Sequence, residues 1–487
     1  MDDDLKVNQP SPHETNLKPE KSKPKITIVL LLSVIATNIG SAFVMGYNIS
    51  IANEPQDQIK NFFQTSARTE FGSILKGSTL TVFWSSTNFF YCIGGATGAL
   101  FGGYLGATLG RKNSLLLNNL FLIVSQLCGS YCVPLNVFEI YIFGKFMAGV
   151  NSGVGTTVGP MYINEISPIA YRGAFGSSFQ LSCCLGIFVT EILGFPFLLG
   201  TTKLWPELFN ILLFCGLLQV LMLLMCPESP KYFLTKEMNE DAKKALRKLR
   251  NSANVDVEMR EMQEERELES LEPRVTLKEL FFVPFYRRPL TVAIVAQISQ
   301  QLTGVNAINY YCTSIFKDAG FSTTTSTYIT AVTGLIQILG TVVAILLIEK
   351  AGRKILLIVG LSVMLAMLVS LTVFLYIKEH FASYFSVASI FIYLMFYCLA
   401  AGPIPWLITA ELFSNGPRPT AVAFAGFVNW LSNSAVGLLF PVLKDAIGDS
   451  VFLVFAAIAV FCIAFIAIKA PETKGKSIDE IKALFVK

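Results

Sequence analysis

The chain has 487 residues, of which 53% are hydrophobic and only 15% charged, with a mean hydropathy of +0.56. Soluble domains carry about 25% charged residues, so most of this chain faces a solvent that charges avoid. The net charge of +4 is small, and no basic face with interleaved aromatics lies outside the apolar runs, which argues against a nucleic-acid partner. The ten cysteines lie mostly inside apolar runs, as at Cys183-Cys184, Cys215 and Cys462. They form no CxxC pair and no metal-type spacing with His13 or His380. No metal, cofactor, nucleophile or phosphate loop is called for, and the chain does not read as an enzyme.

Residues 1–25 are polar, with Pro10, Pro12, Pro19 and Pro24 among charges. They read as a disordered cytoplasmic tail, because a signal peptide needs an apolar core and a cleavage site. A bilayer core about 30 Å thick needs about 20 apolar residues per helical span. Such stretches recur near 26–49, 78–107, 114–134, 138–161, 171–199 and 206–226, then near 289–316, 325–348, 355–377, 384–412, 420–442 and 449–469. These twelve spans predict an N-terminal six-helix half over 26–226 and a C-terminal six-helix half over 289–469. Between them, 227–288 contains KEMNEDAKKALRKLR and EMREMQEERELE, whose periodicity and mixed charge predict solvated or amphipathic helices. That segment serves either as a linker between the halves or as part of a gate. Residues 470–487 read as a second cytoplasmic tail.

Positive charge sets the orientation. Lys18, Lys21, Lys23, Lys25, Arg111-Lys112, Arg353-Lys354, Lys474 and Lys476 fall on one side of the spans, which the positive-inside rule makes cytoplasmic. Both termini are expected there.

The sequence also repeats itself. Leu109-Gly110-Arg111-Lys112 recurs as Ala351-Gly352-Arg353-Lys354, and Pro227-Glu228-Ser229-Pro230 as Pro471-Glu472-Thr473-Lys474. Between them, Asn164-Glu165 with Arg172-Gly173 is echoed by Ala410-Glu411 with Arg418-Pro419, all three pairs at nearly one separation. Two like-oriented halves of six spans are the parallel repeat of the major facilitator architecture. The fold class expected is therefore an all-α membrane protein, embedded in the lipid bilayer, with a cytoplasmic helical linker. Arg111, Glu165, Arg172, Glu228, Glu349, Arg353, Glu411, Arg418 and Glu472 form a candidate latch at the cytoplasmic helix ends. There carboxylates suit helix N-termini and cations suit C-termini. Such clusters either bridge the halves in one state and part in the other, or simply anchor the topology.

At these residues the chain resembles the sugar porter family, and within it the facilitative glucose transporters. The resemblance runs from about Gly40 to Lys476. It rests on Arg172-Gly173, PESPKYFL at 227–234, QQLTGVNAINYY at 300–311, GPIPW at 402–406, AELFSNGPRP at 410–419, NWLSN at 429–433 and PETKG at 471–475. It implies a membrane carrier for a small-molecule sugar, most simply D-glucose, with no cofactor and no obligate protein partner. By resemblance, Gln180, Gln300, Gln301, Asn306, Trp406, Asn429 and Asn433 match sugar-contacting positions, and Trp430 an aromatic beside them. Tyr310 and Tyr311 match the outer part of the seventh span, which in the family closes over the sugar.

The chemistry of the residues agrees with that site. A hexose has hydroxyls that donate and accept, as amides do, and uncharged polar residues at mid-membrane depth are costly unless they face partners or a wet cavity. The same amides could instead join helix to helix. Gly402, Pro403 and Pro405 interrupt an apolar span, since proline removes a backbone bond, and predict either a hinge carrying Trp406 or a static kink. The chain departs from the glucose-type pattern at Gln337, where the family has Asn, and at Cys398, where it has Glu. Ala107-Thr108 also stands in the turn that usually carries polar residues and Arg. The first span holds no carboxylate, which favours uniport over proton coupling. Glu191 lies within the fifth span, however, and an intramembrane carboxylate is a functional-site hypothesis. It is either a possible proton site or a cavity-facing polar group. The sequon at Asn48-Ile49-Ser50 lies too close to the membrane for glycosylation.

Overall fold

A bilayer offers no water to a backbone N–H or C=O, so a spanning chain closes its hydrogen bonds within helices. The computed structural model obeys this rule. It describes residues 26–72, 77–273, 275–377, 379–476 and 478–486, which lie in helices and the turns joining them; the tail expected at 1–25 lies outside the described residues.

The spanning helices are α1 (Ile28–Ser50), α2 (Gly77–Thr108), α3 (Arg111–Leu135), α4 (Phe138–Ile166), α5 (Arg172–Leu193) and α6 (Glu207–Met225) in the first half. The second half holds α7 (Pro284–Gln301 and Val305–Asp318), α8 (Thr323–Ala351), α9 (Arg353–Ile377), α10 (Phe381–Glu411), α11 (Arg418–Ile447) and α12 (Val451–Lys469). By length and hydropathy, eight segments qualify as spans, the last of them containing both α11 and α12. Helices α2 and α4 do not qualify because glycine and polar residues dilute them, and α7 because its break leaves pieces of 18 and 14 residues, the longer carrying Arg287, Arg288 and three glutamines. Their neighbours are other helices more than lipid, as the long list of buried positions on α4 and α7 shows.

Small residues let α2 and α4 come close. Gly149 and Gly153 face the carbonyls of Tyr91 and Gly95 so tightly that a Cβ at either would collide with them. Such small-residue contacts, and not a hydrophobic drive, hold helices together in lipid. The largest contacts between the halves are α2 on α11 and α5 on α8, with a smaller one between the end of α1 and the second part of α7.

The side where the first span begins and the last one ends is called here the tail face; the opposite side is the far face. On the tail face, α1 starts at Thr27, whose Oγ1 accepts from Leu30 N at 3.2 Å and donates to Leu249 O at 2.6 Å. Leu249 belongs to Asn239–Arg250, one of four short helices between α6 and α7, with Pro230–Thr235, Asp256–Leu271 and Leu277–Phe282. Asn239–Arg250 buries Ala242, Ala245, Leu246 and Leu249 on one face, as the periodicity predicts. Arg250 then ties the linker to α4, donating to Ile166 O at 2.9 Å while pairing with Glu258 at 2.6 Å.

Three differences from the expected elements have local causes. The fifth span stops at Leu193 instead of reaching 199, because Gly194 and Pro196 turn the chain. A helix outside the spans, Gln56–Phe71, covers the far face of the first half. Within the expected C-terminal tail, Ile478–Val486 is helical and docks on the start of α7, where Arg288 Nη1 donates to Phe485 O at 2.6 Å.

Candidate functional site

Helix α7 breaks at Leu302-Thr303-Gly304. Gly304 has φ +98°, the left-handed region that only glycine enters freely, and a Cβ there would press on the Phe455 ring of α12. The break releases the helix register, so that amides from consecutive positions converge. Gln301 Nε2 donates to Asn429 Oδ1 at 2.9 Å, and Asn429 Nδ2 donates to Gln297 Oε1 at 2.7 Å and Gln300 Oε1 at 2.5 Å. Asn306 Nδ2 donates to Gln301 Oε1, and Gln300 Nε2 to Gly402 O, both over very short distances. All are buried. The cluster thus links α7, α10 and α11.

Gly402 O can accept because α10 widens just before it. Tyr397–Ala401 forms a π-helical turn, Gly402 N bonds Tyr397 O at 2.7 Å, and Pro403 and Pro405 have no N–H to continue the ladder. Trp406 follows and stays 37% exposed, its ring beside Gly426 of α11. Its ring is thus partly exposed, whereas the amides are buried and bonded to one another.

The remaining expected residues divide by depth. Trp430 of α11 packs on Gly95 of α2, edge-on to Tyr91 with ring centroids 6.0 Å apart. Asn433 accepts from Tyr310 at 3.1 Å, and Gln337 Nε2 donates to Asn309 Oδ1 at 3.2 Å. Gln180, half-buried on α5, donates to Cys184 Sγ, 3.7 Å away on its own helix. Cys184 in turn meets Thr341 of α8 at 3.3 Å across the halves, near Cys398.

The bonds from one half to the other continue on the far face. Asn88 of α2 donates to Tyr311 at 3.1 Å, Tyr310 lies 3.6 Å from Cys92, and Lys317 pairs with Asp57 at 2.9 Å. Thr81 donates to Asp445 at 2.7 Å. The far face is closed.

On the tail face the two halves carry twin clusters. Glu228 Oε1 accepts from the N–H groups of Arg111 and Lys112 at 2.9 and 3.0 Å, while Arg111 pairs with Glu165 at 2.7 Å. Glu472 accepts from Arg353 N at 2.9 Å and Lys354 N at 3.1 Å, while Arg353 pairs with Glu411 at 3.2 Å. Each carboxylate of PES and PET therefore caps the N-terminus of α3 or α9. Both of these ion pairs lie within one half. Of the other two arginines, Arg418 Nε donates to Phe413 O at 3.0 Å, and Arg172 Nε has no partner among the described residues. The side chain of Glu349 lies outside the described residues.

Sequence reasoning missed three participants. Gln297, one turn before Gln301, completes the amide cluster and could have been found by that spacing. Lys145 of α4 is buried, donating to Asn48 O at 3.1 Å over the Tyr91 ring at 4.9 Å; a lone basic residue inside a span was its signal. Glu54, just past α1, accepts from Thr313 at 2.8 Å, and nothing in its local sequence pointed to α7. Glu191 is buried between α5 and α8, accepting from Thr333 at 3.4 Å.

A family model described as "Sugar (and other) transporter" matches residues 33–485. The solute carrier family 2 facilitated glucose transporter member 3 of Mus musculus is 39% identical over 464 residues, covering 95% of this chain and 94% of that protein. Member 1 of Gallus gallus is 37% identical over 468 residues, with 96% and 95% covered. Among solved structures, the partially occluded inward-open xylose transporter XylE of E. coli superimposes with a TM-score of 0.79 at 21% identity, covering 93% of this chain and 100% of that one. The proton:xylose symporter XylE bound to 6-bromo-6-deoxy-D-glucose gives a TM-score of 0.77 at 22% identity, covering 95% and 100%. These two show the shared fold. With repeated halves, a broken α7 and a family match over nearly its whole length, this multi-pass membrane protein has the major facilitator fold, belongs to the sugar transporter family and is not an enzyme.

Proposed function

We propose that the chain carries a hexose, D-glucose foremost, across the plasma membrane by facilitated diffusion, with the tail face cytoplasmic. The observation that carries this reading is the amide cluster Gln300-Gln301-Asn306-Asn429 at the break of α7, with the partly exposed ring of Trp406. Amides supply donors and acceptors in matched number, as sugar hydroxyls require, and an aromatic face suits the apolar side of a pyranose. In this state the amides satisfy one another, so an entering sugar exchanges amide–amide bonds for amide–hydroxyl bonds at little net cost. Asn433, Gln337 and Gln180 complete the pocket as it closes, Trp430 supports it, and Tyr310 and Tyr311 form the far gate. Gly402, Pro403 and Pro405 supply the hinge that moves Trp406. The twin tail-face clusters meet across the halves when the far face opens, which makes them the latch. The 37–39% identity to facilitated glucose transporters supports uniport, as does the absence of a carboxylate from residues 28–50.

Uptake of labelled D-glucose into proteoliposomes, with and without an imposed pH gradient, tests this. Equilibration that ignores the gradient and excludes L-glucose is the expected result. Accumulation driven by protons would replace uniport with symport and put Glu191 at the coupling step, while transport of fructose or a polyol alone would change the substrate.

A further inference from the structure

Glu191, which is buried, and Glu54, which is half-buried, belong to different elements but lie in one pocket. Glu54 sits in the turn after α1, against Gly194 at the end of α5, and accepts from Thr313 of α7. Thr313 contacts Thr330 of α8 at 2.9 Å, and Thr333, one turn further on α8, donates to Glu191. The carboxylates are thus joined through a row of threonines that crosses from one half to the other. They lie within electrostatic reach of each other.

One carboxylate oxygen of the pocket lacks a close donor. Glu191 is 2% exposed, and its Oε2, pressed against Gly334, has no hydrogen-bond partner among the described residues. Two donors stand near it: the Ser50 hydroxyl beside Glu191, and the Asn53 amide, whose Oδ1 accepts from Thr313 N at 3.4 Å while its Nδ2 has no partner among the described residues. Two carboxylates crowded together, Glu191 buried and Glu54 half-buried, cannot both carry charge at low cost, and a buried oxygen without a donor is costly. The titratable neighbours are few. Lys317 of α7 faces Glu54 but is engaged by Asp57, Lys60 lies beyond that pair, and Cys312 of α7 faces both carboxylates.

We propose that this pocket is a proton-binding site of the far gate: Glu191 and Glu54 hold one proton between them while the gate is shut and release it to the far side when it opens. The proton comes from bulk water on that face, forms an O–H on one carboxyl oxygen, and returns to the same face. It biases the gate without travelling with sugar. Burial pushes the Glu54 carboxyl up to about 7, against the lowering pull of Thr313, Thr327 and Lys317. A group whose affinity for protons is higher in the shut state favours that state fully below its hydrated value, and the advantage is lost as pH rises through the shut-state value. Acid therefore shuts the far face, across a window from about 4.5 to about 7. The inference rests on the two-state reading of the carrier, not on which sugar it moves.

The test reads distance and needs no transport. Spin labels are placed on the full chain at the exposed far-face positions Thr65 and Thr324, with the half-buried Cys128 and Cys215 replaced by serine. Distance distributions are then recorded in lipid without sugar between about pH 5 and about pH 8. The expected result is a shut-to-open ratio at least about tenfold higher at the acid end. Glu191→Gln and Glu54→Gln should each flatten the response. A wild-type distribution that ignores pH overturns the proposal even if neither variant folds. So does a response that survives in both variants, or one reproduced at constant pH by exchanging sodium for choline. Loss of glucose uptake with the pH response intact would instead fault the substrate assignment alone.

Discussion

Asn429 makes the central polar contact of the C-terminal half, because its one amide serves Gln297, Gln300 and Gln301. Replacing it with alanine leaves Gln297 Oε1 without a partner and takes one bond each from Gln300 and Gln301, which keep the 3.3 Å bond between them, at about 1 kcal/mol or more per lost bond. We expect Asn429→Ala to raise the KM for D-glucose exchange at least about tenfold while the protein remains folded, checked by exchange kinetics beside a thermal melt. Gly304 is the second decisive residue. Gly304→Ala forces a side chain into left-handed backbone and onto Phe455, which costs about 1–3 kcal/mol, so a lower melting temperature in detergent is the expected readout. The glutamines were legible in the sequence as polar residues out of place in an apolar span. Glu54 was not, because its partner Thr313 is 259 positions away and no local pattern encodes such a contact.

At the scale of elements, the PES and PET segments act as detached caps for α3 and α9. Glu472 lies beyond the last span. Burial works against its charge, but the N–H groups of Lys474, Arg353, Lys354 and Ile355 outweigh that and hold its carboxyl below the usual range. A depressed value stabilises the folded state above the ordinary carboxylate value of about 4.5 and loses that contribution as pH falls. Thermal stability should therefore decline below that pH, and Glu472→Gln should start lower and decline less, as scanning fluorimetry across pH can show. The repeat in the sequence announced both caps. What it did not announce is that the carboxylates would bind backbone while Glu165 and Glu411 take the arginines, since that division depends on the angle at which each loop returns to the bundle.

At the scale of the whole molecule, the far face is shut by contacts that are weak one at a time. Tyr311 illustrates this: its hydroxyl accepts from Asn88 and donates to Gly437 O at 3.1 Å. Tyr311→Phe removes about 1 kcal/mol from one state only, a roughly fivefold shift in the equilibrium. Faster hydrogen exchange over the 305–318 segment is the measurement that would show it. The exposed pair Lys317–Asp57 should contribute less, because solvent screens it. A gate built this way opens on a modest bias, as a carrier requires.

Composition, twelve apolar stretches and three repeated motifs determined the membrane setting, the number of spans and the internal symmetry. Each of these follows from local rules: span length from bilayer thickness, and helicity from the need to satisfy the backbone. The amide cluster was half legible, since polar residues betray themselves in an apolar run while their partners do not. Tertiary structure alone decided which face is shut, that the tail-face ion pairs stay within each half, and that Glu54 meets Glu191's pocket. These outcomes depend on how two rigid halves meet. Many near-equal contacts decide that meeting, and a carrier that works in more than one state leaves it only weakly specified by any single stretch of chain.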